Sequence, residues 1–195
     1  MEASYPLDLE VETPSRVARW RPLVNWLLVL PLAVWAGLLG LGAAVVSFLG
    51  WFAILLTGRL PQSWSDYLVA VLRYHWRTTA YLYAWTDSYP GFSAPAGHVD
   101  PGDHPAVLYC APPGPRRRLT VALRALLAVP HLFVLYFVGI AQGAVLLLAW
   151  FAVVVLGRWP EDLRRFAVGV FRWAMRVNAY LWLVTDEYPP FRTAP

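Results

Sequence analysis

Residues 22–58 read PLVNWLLVLPLAVWAGLLGLGAAVVSFLGWFAILLTG, thirty-seven positions without one ionised side chain. Residues 125–157 repeat the pattern, with His131 the only group there that could gain a charge near neutral pH. A single membrane span needs about 20 residues, whereas one helix of this length would run about 55 Å against a hydrocarbon core of about 30 Å. Two helices joined by a tight turn are therefore expected in each run. The glycines permit reversal at Gly37–Gly42 (GLLGLG) and at Gly139–Gly143 (GIAQG). A re-entrant hairpin and a single tilted span are the competing readings.

Composition points the same way. Hydrophobic residues make up 58% of the chain and charged residues 14%, and mean hydropathy is +0.47. Ordinary soluble domains carry about 45–50% apolar and about 25% charged residues, so 195 residues could not hide this much apolar surface from water. The single Cys110 excludes an internal disulfide and matches no catalytic Cys/His signature. The first apolar run is too long for a signal peptide and is expected to stay in the mature protein. All basic residues are Arg.

Shifting the chain by 99 residues aligns it with itself without a gap. Pro31 meets Pro130, Trp51-Phe52 meets Trp150-Phe151, Arg73 meets Arg172 and Arg77 meets Arg176. Between Gly58 and Phe92, 15 of 35 positions are identical to their partners. Two unrelated apolar stretches would share Leu and Val, not Gly-Arg and Thr-Asp-x-Tyr-Pro-x-Phe, so the chain is a tandem duplication of units 1–99 and 100–195. Each unit opens on a short strand-like piece, Leu7 to Val11 and Val107 to Cys110. An Arg cluster follows, and then the apolar run.

A further helix is expected in each unit, Gln62 to Thr86 and Glu161 to Thr185, with Pro61 and Pro160 at its first turn. At about 100° per residue, Arg73 and Arg77 share a narrow stripe, as do Arg172 and Arg176. The rest of each helix is largely aromatic and aliphatic. Such an amphipathic helix suits the membrane interface, its Arg reaching anionic headgroups or a partner. A solvated stripe or internal ion pairs are the other readings of these four Arg. Each helix leads into TDSYPGF or TDEYPPF, residues 86–92 and 185–191, where proline ends it. Asp87 and Asp186 sit at the unfavourable end of the helix dipole and call for a basic partner. With the two helices antiparallel, the expected clasp is Arg158 with Asp87 and Arg59 with Asp186; Phe92 and Phe191 tuck back as anchors.

These residues carry a family resemblance. Gly58-Arg59-x-Pro61, then Arg73, Arg77 and Ala80-Tyr81-Leu82, then Thr86-Asp87-x-Tyr89-Pro90-x-Phe92, with their matches 99 residues on, resemble the bacterial membrane family catalogued as domain of unknown function 4389. Pro130-His131 also fits that pattern, while Pro31-Leu32 and the TDSYPGF ending depart from it. The resemblance covers nearly the whole chain as two copies. It implies an integral membrane protein and supplies no activity.

Chemistry is otherwise sparse. The linker GHVDPGDHP offers His98, Asp100, Asp103 and His104, metal-ligand types that equally suit a polar surface turn. No nucleotide loop, nucleophile-base pair or HExxH occurs, and no cofactor is expected. The fold class expected is an all-α integral membrane protein of two pseudo-symmetric repeats, each a β-like segment, an apolar helical hairpin and an interfacial helix. Arg at both ends of each run puts both termini on the cytoplasmic side of a bacterial inner membrane. The function expected is a non-enzymatic scaffold or accessory subunit of a larger membrane complex; the alternative is a lipid or amphiphile binder. Expected partners are membrane lipids, anionic ones included, and a membrane protein or a second copy of the chain, with no nucleic acid.

Overall fold

The computed structural model describes residues 5–112, 114 and 116–194. The order is β1 (Leu7–Val11), α1 (Arg21–Thr57), α2 (Gln62–Leu82), β2 (Ala106–Cys110), α3 (Arg118–Leu156) and α4 (Glu161–Leu181). The two strands form an antiparallel ribbon with Leu9 opposite Leu108. Both strands begin and end within one residue of their sequence limits.

The apolar runs do not turn back. α1 is one helix of 37 residues and α3 one of 39, each passing unbroken through its glycine cluster and its internal proline. A turn at Gly37–Gly42 would strand helix-end amides and carbonyls among Leu, Gly and Ala, with no side chain there able to cap them. Continuing the helix satisfies them at about 1 kcal/mol per glycine. Two of these glycines serve close packing. A Cβ on Gly42 would overlap the Tyr67 hydroxyl, and one on Gly50 would lie 2.8 Å from Leu60 Cδ1. The long helices end at Gly58 and Gly157, both left-handed, with φ of 77° and 67°.

The shorter helices differ from expectation as well. α2 and α4 stop at Leu82 and Leu181, four residues before Thr86 and Thr185, not at the proline. Ala84 and Leu183 are left-handed, with φ of 54° and 63°. The Trp85 amide then reaches the Ala80 carbonyl at 2.8 Å, and Val184 reaches Ala179 at 2.9 Å. This is a Schellman turn built on residues other than glycine, which explains why the sequence does not announce it. Nor do their aromatic faces lie on the outside of the molecule. Trp76, Trp85 and Tyr74 are all 1% exposed or less. The aromatic faces pack inward, because each helix lies between a long helix and the ribbon. α2 meets α1 through Tyr67, whose hydroxyl donates to the Leu39 carbonyl at 2.9 Å, and through Tyr74 and Tyr81 against Val29, Leu32 and Ala36. It meets the ribbon through Trp76, whose indole donates to the Glu10 carbonyl at 3.2 Å.

The two units share one core, in which Leu9, Leu108, Trp76, Ala80, Ala167 and Ala179 are buried together. α1 and α3 run antiparallel and are joined at both ends by equivalent bonds. The Trp51 indole donates to the Val121 carbonyl at 2.9 Å, and the Trp150 indole to the Pro22 carbonyl at 2.8 Å.

A continuous α1 makes opposite demands on two of its glycines. Gly37 has nothing within 4 Å of a would-be Cβ, so Gly37→Ala should raise the apparent Tm in detergent by the equivalent of up to about 1 kcal/mol. Gly42→Val should lower it through the clash with Tyr67, by about 1–3 kcal/mol. A reversal at this site would demand the opposite response from Gly37→Ala.

Candidate functional site

The four stripe Arg are engaged inside the chain, where headgroup or partner contacts were expected of them. Residues four apart on a helix face one way; the α2 pair faces the linker leading into β2, and the α4 pair faces β1. Arg73 donates through Nε to Asp100 at 2.9 Å, and through Nη1 and Nη2 to the Pro95 and Gly97 carbonyls at 2.6 and 3.0 Å. Arg77 Nη2 bonds Asp100 at 3.1 Å and Asp103 at 2.7 Å. In the other copy Arg172 Nε donates to Asp8 at 2.6 Å and Arg176 Nε to the Leu7 carbonyl at 3.2 Å. Arg176 also lies 3.6 Å from Asp8. Arg pairs from α2 thus dock on the opening of unit 2, and those from α4 on the opening of unit 1.

Asp100 is the hub. Its side chain is 3% exposed beside a fully buried Arg73. Burial alone would raise its pKa; the Gly102 and Leu108 amides and the two guanidiniums outweigh that and hold it below the ordinary carboxylate value. The other ligand-type residues of the linker are similarly occupied. His98 lies 3.0 Å from the Ser65 hydroxyl, while Nδ1 of His104 accepts the Ala106 amide at 3.0 Å. Burial pushes both imidazoles below the usual histidine value, so both are neutral at pH 7. Among the described residues no group of three or more His, Cys, Asp or Glu is placed to hold a metal ion. Burial lifts the Cys110 thiol to about 11, which leaves it un-ionised at neutral pH.

The Thr-Asp motif is paired differently from the expected clasp. Asp87 bonds Arg21, and Asp186 bonds Arg124 while lying 3.5 Å from Arg116. Arg59 and Arg158 stand exposed at the far ends of the long helices and make no ion pair among the described residues. The reason is geometric: an unbroken α1 carries Arg59 far from Arg21, and antiparallel α2 returns Asp87 to the start of α1. Sequence alignment also misses a shared duty. Arg124 alone bonds both Asp186 and the Tyr180 carbonyl. In unit 1 the work is divided between Arg21, on Asp87, and Asn25, whose amide donates to the Tyr81 carbonyl at 2.8 Å. Asn25 is the positional match of Arg124 (25 + 99), and Arg21 lies one turn earlier. Thr86 and Thr185 fix the motif's turn by accepting the Ser88 and Glu187 amides at 3.2 and 3.1 Å. Phe191 and Phe92 are equally exposed, at 54% and 55%; the Phe191 ring stacks on His131 with centroids 3.8 Å apart, whereas Phe92 is held through its carbonyl, which accepts from the Trp35 indole.

What remains open to the surroundings is the outer flank of α1 and α3. In the most apolar 18-residue window of each, only 17% of residues are buried. Arg16, Arg19 and Arg158 are exposed at one end of this flank, and Arg59, Arg117 and Arg118 at the other.

Removing Asp100 would strand two buried guanidiniums, so Asp100→Asn should cost about 3–5 kcal/mol. Asp103, 59% exposed, should cost about 0–1 kcal/mol as Asp103→Asn. Denaturant titration of both variants in detergent checks the ranking. Because the folded pKa of Asp100 lies below 3.8, its stabilisation is complete above that value and is lost as pH falls through the folded one. An acid melt should therefore lose this contribution below about pH 4, and Asp100→Asn should flatten that limb. The Asp186 side chain is 15% exposed and that of Asp87 57%. Asp186→Asn should accordingly lower the apparent Tm more than Asp87→Asn.

No curated protein and no solved structure matches the chain. A family model described as "Domain of unknown function (DUF4389)" matches it twice, over residues 19–94 and 118–193. Each match takes in one long helix, its buried companion and the Thr-Asp clasp. The chain belongs to the DUF4389 family, as two tandem copies in one polypeptide.

Proposed function

We propose that this protein is a membrane-embedded scaffold, an accessory subunit of a larger assembly in a bacterial cytoplasmic membrane, with both termini on the cytoplasmic side. The exposed apolar flank of α1 and α3 carries this reading. Leu56 is 78% and Leu119 73% exposed there, on helices long and apolar enough to cross a bilayer. An apolar surface of this extent needs lipid or protein against it. The polar interior supports a non-enzymatic role, since the carboxylates and imidazoles singled out in the linker are bound up in structural contacts. Arg at every end of the long helices suits an anionic cytoplasmic leaflet.

A second reading is a binder of lipids or small amphiphiles. A recess lined by Trp26, Tyr83, Leu146, Trp150 and Trp159 favours it, being apolar and open beside the flank. Native mass spectrometry of gently solubilised membranes separates the two. A stoichiometric protein partner is the expected result; a lone chain retaining lipid, released by Trp150→Ala, would replace the scaffold with the binder.

A further inference from the structure

The orientation of the long helices follows from the duplication. Residues 99 apart are equivalent, and Leu9 pairs with Leu108 across the antiparallel ribbon. A pseudo-two-fold axis therefore passes between them, perpendicular to the ribbon. The same axis relates the Trp51–Val121 and Trp150–Pro22 bonds, so it lies perpendicular to α1 and α3 midway along them. The layers stack along it: ribbon, then α2 and α4, then the long helices. If α1 and α3 crossed the bilayer, the axis would lie in the membrane plane and the ribbon would face hydrocarbon at mid-depth. Glu10 and Glu12 are exposed on the ribbon's outer side, and each charge there would be costly. Exposed sheet edges do not occur in hydrocarbon either.

We infer that the protein is monotopic: both long helices lie in the plane of the bilayer within one leaflet, their apolar flank among the acyl chains and the ribbon in water. This rests on the membrane reading above and replaces spanning with in-plane embedding. Length agrees, because α1 at about 55 Å overshoots a core of about 30 Å as a span yet meets no limit in the plane. Charge agrees as well. Two exposed Arg triads, Arg16, Arg19 and Arg158 at one end and Arg59, Arg117 and Arg118 at the other, reach the phosphates of a single interface, where spanning would place them on opposite sides. A helical layer about 10 Å thick fits one leaflet and leaves the other intact.

Sidedness of the full chain in native vesicles tests this. With Cys110→Ser as background, Ser15→Cys and Ser63→Cys flank the two ends of α1 and are exposed. Both should react with an impermeant maleimide from the same face, and the chain should stay in the pellet after alkaline carbonate. Reaction from opposite faces would overturn the in-plane placement and leave the membrane reading standing. Release by carbonate would overturn the membrane reading itself. Depth gives an independent measure: fluorophores on Leu27→Cys, Leu38→Cys and Leu49→Cys, three turns apart on one face, should be quenched alike by bromolipids. Deepest burial at Leu38 with shallow ends would refute the proposal.

Discussion

The buried arginines constrain everything else. Four guanidiniums on α2 and α4 face the protein interior, and a charge so placed is tolerable only with a carboxylate and carbonyls aimed at it. Neither short helix supplies its own. Asp8 comes from β1 and Asp100 from the segment leading into β2, so the strands must lie across the helices before the charges can be buried. Once they do, the ribbon's inner residues Leu9 and Leu108 cap the core, and the outer faces of α2 and α4 are committed to α1 and α3. The long helices are thereby displaced to the outside, where most of their apolar surface stays uncovered.

Much of this was legible from residue order. The 99-residue period, the strand alternation at Leu7, Leu9 and Val11, and the start of each short helix after Pro61 and Pro160 all rest on local signals, which a sequence carries openly. The continuity of α1 was not legible. Glycine spacing marks a place where a turn is allowed, whereas the cost of uncapped backbone in an apolar run decides whether one forms. The clasp partners were hidden for another reason. Arg21 and Arg124 occupy non-equivalent positions, so comparing the repeats position by position discards them. A buried Arg pair implies that a carboxylate must exist somewhere, but it does not say that the carboxylate belongs to the neighbouring unit.

The two copies close the same turn with different chemistry. In unit 2, His131 accepts the Trp173 indole at 3.2 Å and stacks on Phe191, binding the motif's aromatic to the long helix. Unit 1 has Leu32 and Tyr74 at those positions. The Tyr74 hydroxyl instead donates to the Gly91 carbonyl at 2.9 Å, and Trp35 donates to the Phe92 carbonyl at 3.0 Å. The return of the chain onto the long helix is kept, although the ring-ring contact is replaced by backbone hydrogen bonds. Backbone path is the shared property of the repeats, kept even where side-chain identity is not.

Duplication builds this mutual dependence into one chain. One unit alone would present a single strand with both edges unpaired and an Arg pair with no acid to meet it. Joining two units in one chain supplies each with the other's strand and carboxylate at fixed stoichiometry. It also frees the halves to differ, so that Asp8 serves unit 2 from within a strand while Asp100 serves unit 1 from a turn. Antiparallel pairing on a two-fold axis has one more consequence. It gathers the acidic ribbon on one face and both apolar helices on the other, a polarity that neither unit has on its own.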